Sequence, residues 1–278
     1  MIKITEKASA DPALFYIKSY EYTKLPMDTI IVPKYIYSAD EMETLRKNML
    51  HQMDIIIRHA AAASEYERVL KVHDIMCANI RYVDDCVWDR HTAVGALLDK
   101  KAVCDGFSKA FKWIMDNMGI ECRIVTGKWA INGKETTHAW NIVEMDGRWR
   151  HVDVTYDAND NWRNNRNHDY FSLTDEQIAR DHVFDMDKYP KADGDRNDYY
   201  TTHGLLMKDK KMLQDYALMQ VGNGIRDITV KLPDEIPDDV AEQKISEVLS
   251  HLPIPGNGVS GIDLRSNIKQ HIFQIRFS

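Results

Sequence analysis

Three side chains, far apart along the chain, are of the types that nucleophilic catalysis uses: Cys104, His138 and Asp153. A cysteine thiolate attacks a carbonyl carbon. An imidazole takes the thiol proton and later returns it to a leaving group. A carboxylate fixes the imidazole tautomer and stabilises its cation. The residues after Cys104 show where the thiol sits. Phe107, Phe111, Ile114, Met115 and Met118 follow at the offsets of one buried helical face, and Gly119 stops the pattern. Cys104 therefore opens a helix. There, unpaired backbone N–H groups and the positive end of the dipole favour the thiolate and could hold a developing oxyanion.

The other two residues need a sheet. His138–Met145 and Arg148–Thr155 read as strands flanking Asp146-Gly147, a strong hairpin signal. A two-residue turn makes His138 face Thr155 and Asp153 face Trp140. Side chains alternate along each strand, so these four share one face. His138 and Asp153 are then diagonal neighbours, roughly 7–8 Å apart by backbone and within side-chain reach. A four-residue loop keeps this parity and a three-residue loop breaks it. Glu121–Gly127 reads as a preceding strand, and Asn132-Gly133 as a second hairpin turn. The expected core is an antiparallel meander laid against the Cys104 helix, an α+β arrangement.

Further out, residues 1–37 carry aromatic and β-branched runs that predict two or three strands broken by Pro26 and Pro33. A long helix is expected from Ser38 to about Ala63, with Ser38/Glu41 or Asp40/Glu43 as capping box. A second is expected from Ser64 to about Asn79, capped by Ser64 and Glu67, with His73 as a satisfied core histidine at the edge of its apolar face. Arg81–Lys100 reads as a loop and a short helix close to Cys104, and Thr174-Asp-Glu-Gln177 caps another short helix. Asp157-Ala-Asn-Asp160-Asn only faintly resembles a calcium loop, lacking the spaced glycine and the distal glutamate. Residues 201–278 predict a β-α-β unit: strand Ile228–Leu232, helix Val240–Leu252 and strand Gln270–Phe277. The organisation expected is 1–63, N-terminal strands and long helix; 64–200, catalytic core; and 201–278, small C-terminal unit.

Composition narrows the class. A net charge of −7 over 278 residues argues against a general nucleic-acid binder. No apolar run approaches the length of a membrane span. Met1–Lys7 lacks the apolar centre of a signal peptide, so the expectation is a cytoplasmic protein or an exported one whose signal has been removed. The four cysteines include no CxxC pair, which weakens zinc and thioredoxin readings. Cys77, Cys86 and Cys122 are expected as buried packing residues; a Cys77–Cys86 bridge has no support in the sequence.

Several stretches resemble the transglutaminase-like superfamily, nearest to its bacterial branch. They are Ala102-Val-Cys-Asp-Gly-Phe-Ser-Lys-Ala-Phe111, Gly119-Ile-Glu-Cys-Arg-Ile-Val-Thr-Gly127, His138-Ala-Trp-Asn141 and His151-Val-Asp-Val-Thr155, in the family's order, and the likeness runs from about Ser64 to Tyr170. The resemblance implies a papain-like α+β core, Cys104, His138 and Asp153 as a triad, and acyl transfer through a thioester, with a peptide or protein substrate and no cofactor. It leaves open hydrolysis, the expectation here, against amine transfer. Related sequences often carry tyrosine where this chain has Val94, so His91 and Trp88 become candidates for the oxyanion or substrate contact. Trp140 is a candidate wall of the site. Two other readings stand beside it: a non-catalytic protein- or glycan-binding module that retains the fold, and a metal hydrolase built on His138, His151 and Asp153, for which neither HExxH nor HxxxH is present.

Overall fold

The computed structural model describes residues 11–131, 133–158, 167–194, 198–252 and 260–278. The chain divides into two units, one within Met1–Phe171 and His182–Asp193, the other within Ser172–Asp181 and Gly194–Ser278. The expected division into 1–63, 64–200 and 201–278 is therefore replaced in two ways. The N-terminal segment joins the core, and residues 172–181 join the C-terminal unit.

The first unit begins with an antiparallel ribbon, β1 (Ile17–Lys24) and β2 (Thr29–Tyr35). Pro33 does not break β2 but sits within it opposite Tyr20. A two-stranded ribbon has only edges, and there a missing N–H donor is tolerated. The segment preceding β1 packs on the core: the Phe15 ring stacks on Trp113, centroids 6.3 Å apart. Helix α1 (Ala39–His59) opens with the Ser38/Glu41 capping box and buries Met49, Met53 and Ile56. Helix α2 (Glu65–Asn79) starts at Ser64, whose hydroxyl accepts from the Glu67 N–H, and buries Val69, Val72, His73, Met76 and Cys77.

Two short parallel strands, β3 (Arg81–Tyr82) and β4 (Lys101–Ala102), then deliver the chain to α3 (Cys104–Asn117). Helix α3 buries Phe107, Phe111, Ile114 and Met115 of the expected stripe, with Ala110 beside them, while Met118 lies at its C-cap and is only half-buried. Strands β5 (Cys122–Ile131), β6 (Lys134–Met145) and β7 (Arg148–Val152) form the meander. In β6–β7, Asn141 faces Val152 and Met145 faces Arg148, the register that a two-residue turn requires. Both turn residues have positive φ, Asp146 at 50° and Gly147 at 76°, so the hairpin closes as a type I′ turn. Ile131 pairs with Lys134, which closes the other hairpin across Asn132-Gly133; Asn132 itself lies outside the described residues.

The third strand ends earlier than expected. The chain leaves the sheet after Val152 and turns into a one-turn helix, α4 (Val154–Asp157), so Thr155 is helical rather than extended. Asp153 causes the break: its side chain accepts from the Thr155 and Tyr156 N–H groups, an N-cap that competes with the strand. Asp157 faces the interior, bound to His73, and the rest of the faint calcium-like run from 159 lies outside the described residues. The chain passes to the second unit within β8 (Phe171–Leu173), adds the helical turn α5 (Asp175–Ile178), and returns to the first unit as β9 (His182–Val183) beside β5.

The second unit continues with α6 (Tyr199–Thr202), α7 (Lys210–Gly222), β10 (Asp227–Lys231), α8 (Asp238–Ser250), β11 (Ile262–Asn267) and β12 (Ile272–Phe277). Its antiparallel sheet has the order β10-β12-β11 around a core that includes Val221, Val230, Ile245 and Phe273. Helix α7 and strand β11 were not expected. Exposed Met212 and Met219 blur the apolar stripe of α7, and β11 is mostly polar.

Candidate active site

Backbone placement of Cys104 comes first. The β3–β4 pairing and a bond from the Val103 N–H to the Arg90 carbonyl (3.0 Å) fix the approach to α3. Arg90 is itself held by ion pairs to Asp85 and Asp99. Val103 occupies the N-cap and offers no side-chain acceptor, so no N-cap side chain claims the first N–H groups of α3. Asn141 ties the helix to the sheet, its amide donating to the Ser108 carbonyl at 3.0 Å. That bond sets the spacing between the cysteine helix and the strand carrying His138.

The structure brings Cys104, His138 and Asp153 together. His138 Nε2 lies 2.5 Å from Asp153 Oδ2, with Asp153 fully buried and His138 nearly so. Cys104 and His138 line one cavity of about 220 Å³ with Tyr82, Trp129, Thr136, Thr137, Thr155 and Tyr156. Burial opposes charge on His138, but the Asp153 charge and hydrogen bond, with a hydrogen bond from Cys104, outweigh it and push its pKa up to about 10. Burial also opposes charge on Asp153, yet the His138 cation and the bonds from His138 and His182 hold it well below the usual carboxylate range. Trp140 is buried and stacks on His138, centroids 5.8 Å and planes 17° apart. It does not line the Cys104 cavity; it lies behind His138 and covers that face of the ring.

His182 is the residue that sequence reasoning missed. Its Nε2 lies 3.1 Å from Asp153 Oδ2, the oxygen that His138 also contacts. It comes from β9, 29 residues beyond Asp153, and no local spacing links the two. Gly127 admits it: a Cβ there would lie 2.4 Å from the Val183 carbonyl and 3.0 Å from the Trp140 ring, so only glycine lets β9 approach β5 this closely. Tyr82 was missed as well. Its ring lines the cavity, and burial together with the nearby Cys104 raises its pKa, so the phenol stays a proton donor.

Other candidates lie elsewhere. His91 reaches toward Asp105 (3.5 Å), and Trp88 lines a separate hollow with Phe15 and Lys109; neither lines the Cys104 cavity. His151 does not join Asp153, because its Nδ1 accepts the Trp140 indole N–H at 3.0 Å. The set His138, His151 and Asp153 is thus not assembled, and the histidine that reaches Asp153 is His182. All four cysteines are free; Cys77 and Cys122 are buried as expected, whereas Cys86 is exposed.

Residues 56–154, within the α+β core, match the model of the Transglutaminase-like superfamily. Kyphoscoliosis peptidase of Mus musculus is 26% identical over 144 residues, covering 48% of this chain and 21% of its own length. The chain thus spans about a fifth of that relative. Among solved structures, a TGase crystal structure aligns with a TM-score of 0.37 and 14% identity over 50% of this chain and 44% of that one. A candidate cysteine protease from Cytophaga hutchinsonii aligns with 0.34 and 13% over 49% and 61%. No described helix is long and apolar enough to cross a membrane.

Proposed function

We propose that this chain is a cysteine-dependent acyl-transfer enzyme that opens peptide or glutamine-type amide bonds through a thioester, with water as the usual acceptor. One observation carries the reading. Cys104, at the uncapped start of α3, opens into the same cavity as a histidine whose far nitrogen is held by a buried carboxylate. With Nε2 on Asp153, Nδ1 is the nitrogen left for the thiol proton. The thiolate adds to the carbonyl carbon. The oxyanion takes the Cys104 N–H, with Tyr82 as the candidate second donor. The imidazolium then protonates the departing amine, leaving a thioester on Cys104. Water, deprotonated by His138, attacks the thioester and releases the acid and the thiol. Hydrolysis is preferred over amine transfer because water is always available, and none of the described residues lining the cavity offers a carboxylate to pair with a lysine ammonium.

The test is site-resolved alkylation. Iodoacetamide should modify Cys104 faster than exposed Cys86 at pH 6, and His138→Ala should remove the advantage. Equal rates at both cysteines in the parent would reject the assembled pair and favour the binding-module reading. A glutamine peptide offered with a labelled amine separates the acceptors: free acid is expected, and amine incorporation without hydrolysis would reverse the preference.

A further inference from the structure

Asp153 and Asp157 bracket α4 and face different clusters. At the far end, Asp157 is fully buried, accepts from the Tyr170 N–H (3.2 Å to each oxygen) and contacts His73 Nε2 at 3.0 Å. The other nitrogen of His73 points outward, Nδ1 lying 3.0 Å from Asp74 Oδ1. His168 Nε2 reaches the same oxygen at 2.8 Å. One nitrogen from each imidazole and one carboxylate oxygen thus lie within 4.8 Å of one another. Burial is graded: the His73 side chain is 0% exposed, His168 11% and Asp74 51%, so the convergence point has an inner wall and an open side.

We propose that His73, Asp74 and His168 form a site for a divalent cation of the zinc class, coordinated through His73 Nδ1, His168 Nε2 and Asp74 Oδ1, with water completing the shell. As hydrogen bonds alone, the arrangement asks both imidazoles to donate to one oxygen while His73 also meets a second carboxylate through its other nitrogen. A cation accepts the lone pairs of both imidazoles and the carboxylate together. His73 then keeps one proton, on Nε2, and donates it to Asp157. A buried carboxylate behind a ligating imidazole fixes the tautomer and strengthens the ligand. Two nitrogens and one oxygen with room for water suit Zn²⁺; Ca²⁺ and Mg²⁺ prefer all-oxygen shells. The half-exposed Asp74 marks the entry path. Cys77, whose sulfur lies 3.5 Å from His73 Nε2, is on the inner side of the ring and is not a ligand.

Calorimetric titration of the full chain with ZnCl₂ after EDTA treatment tests this. One equivalent should bind, with a rise in melting temperature that follows free Zn²⁺. His168→Ala and the more exposed Asp74→Ala should each weaken binding at least about tenfold, with circular dichroism in EDTA unchanged. Asp157→Asn should weaken it by about 10–100-fold while leaving the three ligands in place. Absence of stoichiometric binding overturns the proposal. So does binding untouched by His168→Ala and Asp74→Ala, binding lost instead in His182→Ala (an ion at His138, Asp153 and His182), or binding lost when the thiols are alkylated. None of these readouts depends on Cys104 chemistry, so failure here is distinct from failure of the acyl-transfer reading.

Discussion

His138 is the residue on which the site turns, and its ionisation ties stability to pH. Its pKa is pushed up to about 10 in the fold, from about 6.5 in a free chain. A raised basic pKa stabilises fully below the unfolded value, and the contribution is lost as pH rises through the folded one. The melting temperature of the parent should therefore fall between about pH 6.5 and about pH 10 more steeply than that of His138→Gln; parallel curves would show that the pair is not charged. The second prediction concerns His182, which touches Asp153 rather than the cavity and so acts by positioning. His182→Ala should lower kcat by up to about 10²-fold with KM little changed, and move the alkaline limb of the rate profile. His182→Gln, which keeps a donor, should recover part of the loss. An unchanged profile in both variants would reduce His182 to packing.

Among the elements, the contact of β9 with β5 is the one that local patterning does not announce and the site needs. Gly127 permits it, because the Val183 carbonyl occupies the space that a Cβ would fill. Gly127→Ala should cost about 1–3 kcal/mol in urea unfolding, as overpacking does, and should reproduce part of the His182 kinetic defect. If stability falls while kinetics hold, β9 is dispensable for orienting Asp153. The β6–β7 hairpin is the opposite case. Its turn chemistry at Asp146-Gly147 determines the register, and the register puts His138 within reach of Asp153.

For the whole molecule, division into units follows buried polar bonds rather than sequence order. In the second unit, Gln177 donates to Asp198 at 3.0 Å and to Asp234 at 3.1 Å, and Gln270 donates to the Gln177 carbonyl at 3.1 Å. Lys231 is buried there, 2.8 Å from Asp198 and 3.3 Å from Asp234. Lys231→Met would leave two buried carboxylates short of a partner and should destabilise this unit by about 3–5 kcal/mol, read by hydrogen exchange of β10 and β12. Exchange equal to the parent would mean that the pair is relieved by water. The expected boundary at residue 200 falls between Gln177 and its partners Asp234 and Gln270.

Local patterning by itself determined the cysteine helix, both hairpin turns, the strand register and hence the pairing of His138 with Asp153. Each rests on a period or a turn residue that acts over a few positions. The N-cap role of Asp153 was legible in kind but read as strand, because its two backbone bonds compete with a ladder that the sequence also allows. Tertiary structure alone decided that His182 rather than His151 meets Asp153, that Tyr82 rather than His91 or Trp88 lines the cavity, and that His73, Asp74 and His168 converge. In the histidine contacts, residues 29 and 94 positions apart meet. Contacts of that range leave no periodic trace, since nothing short of the packed core brings their backbones together.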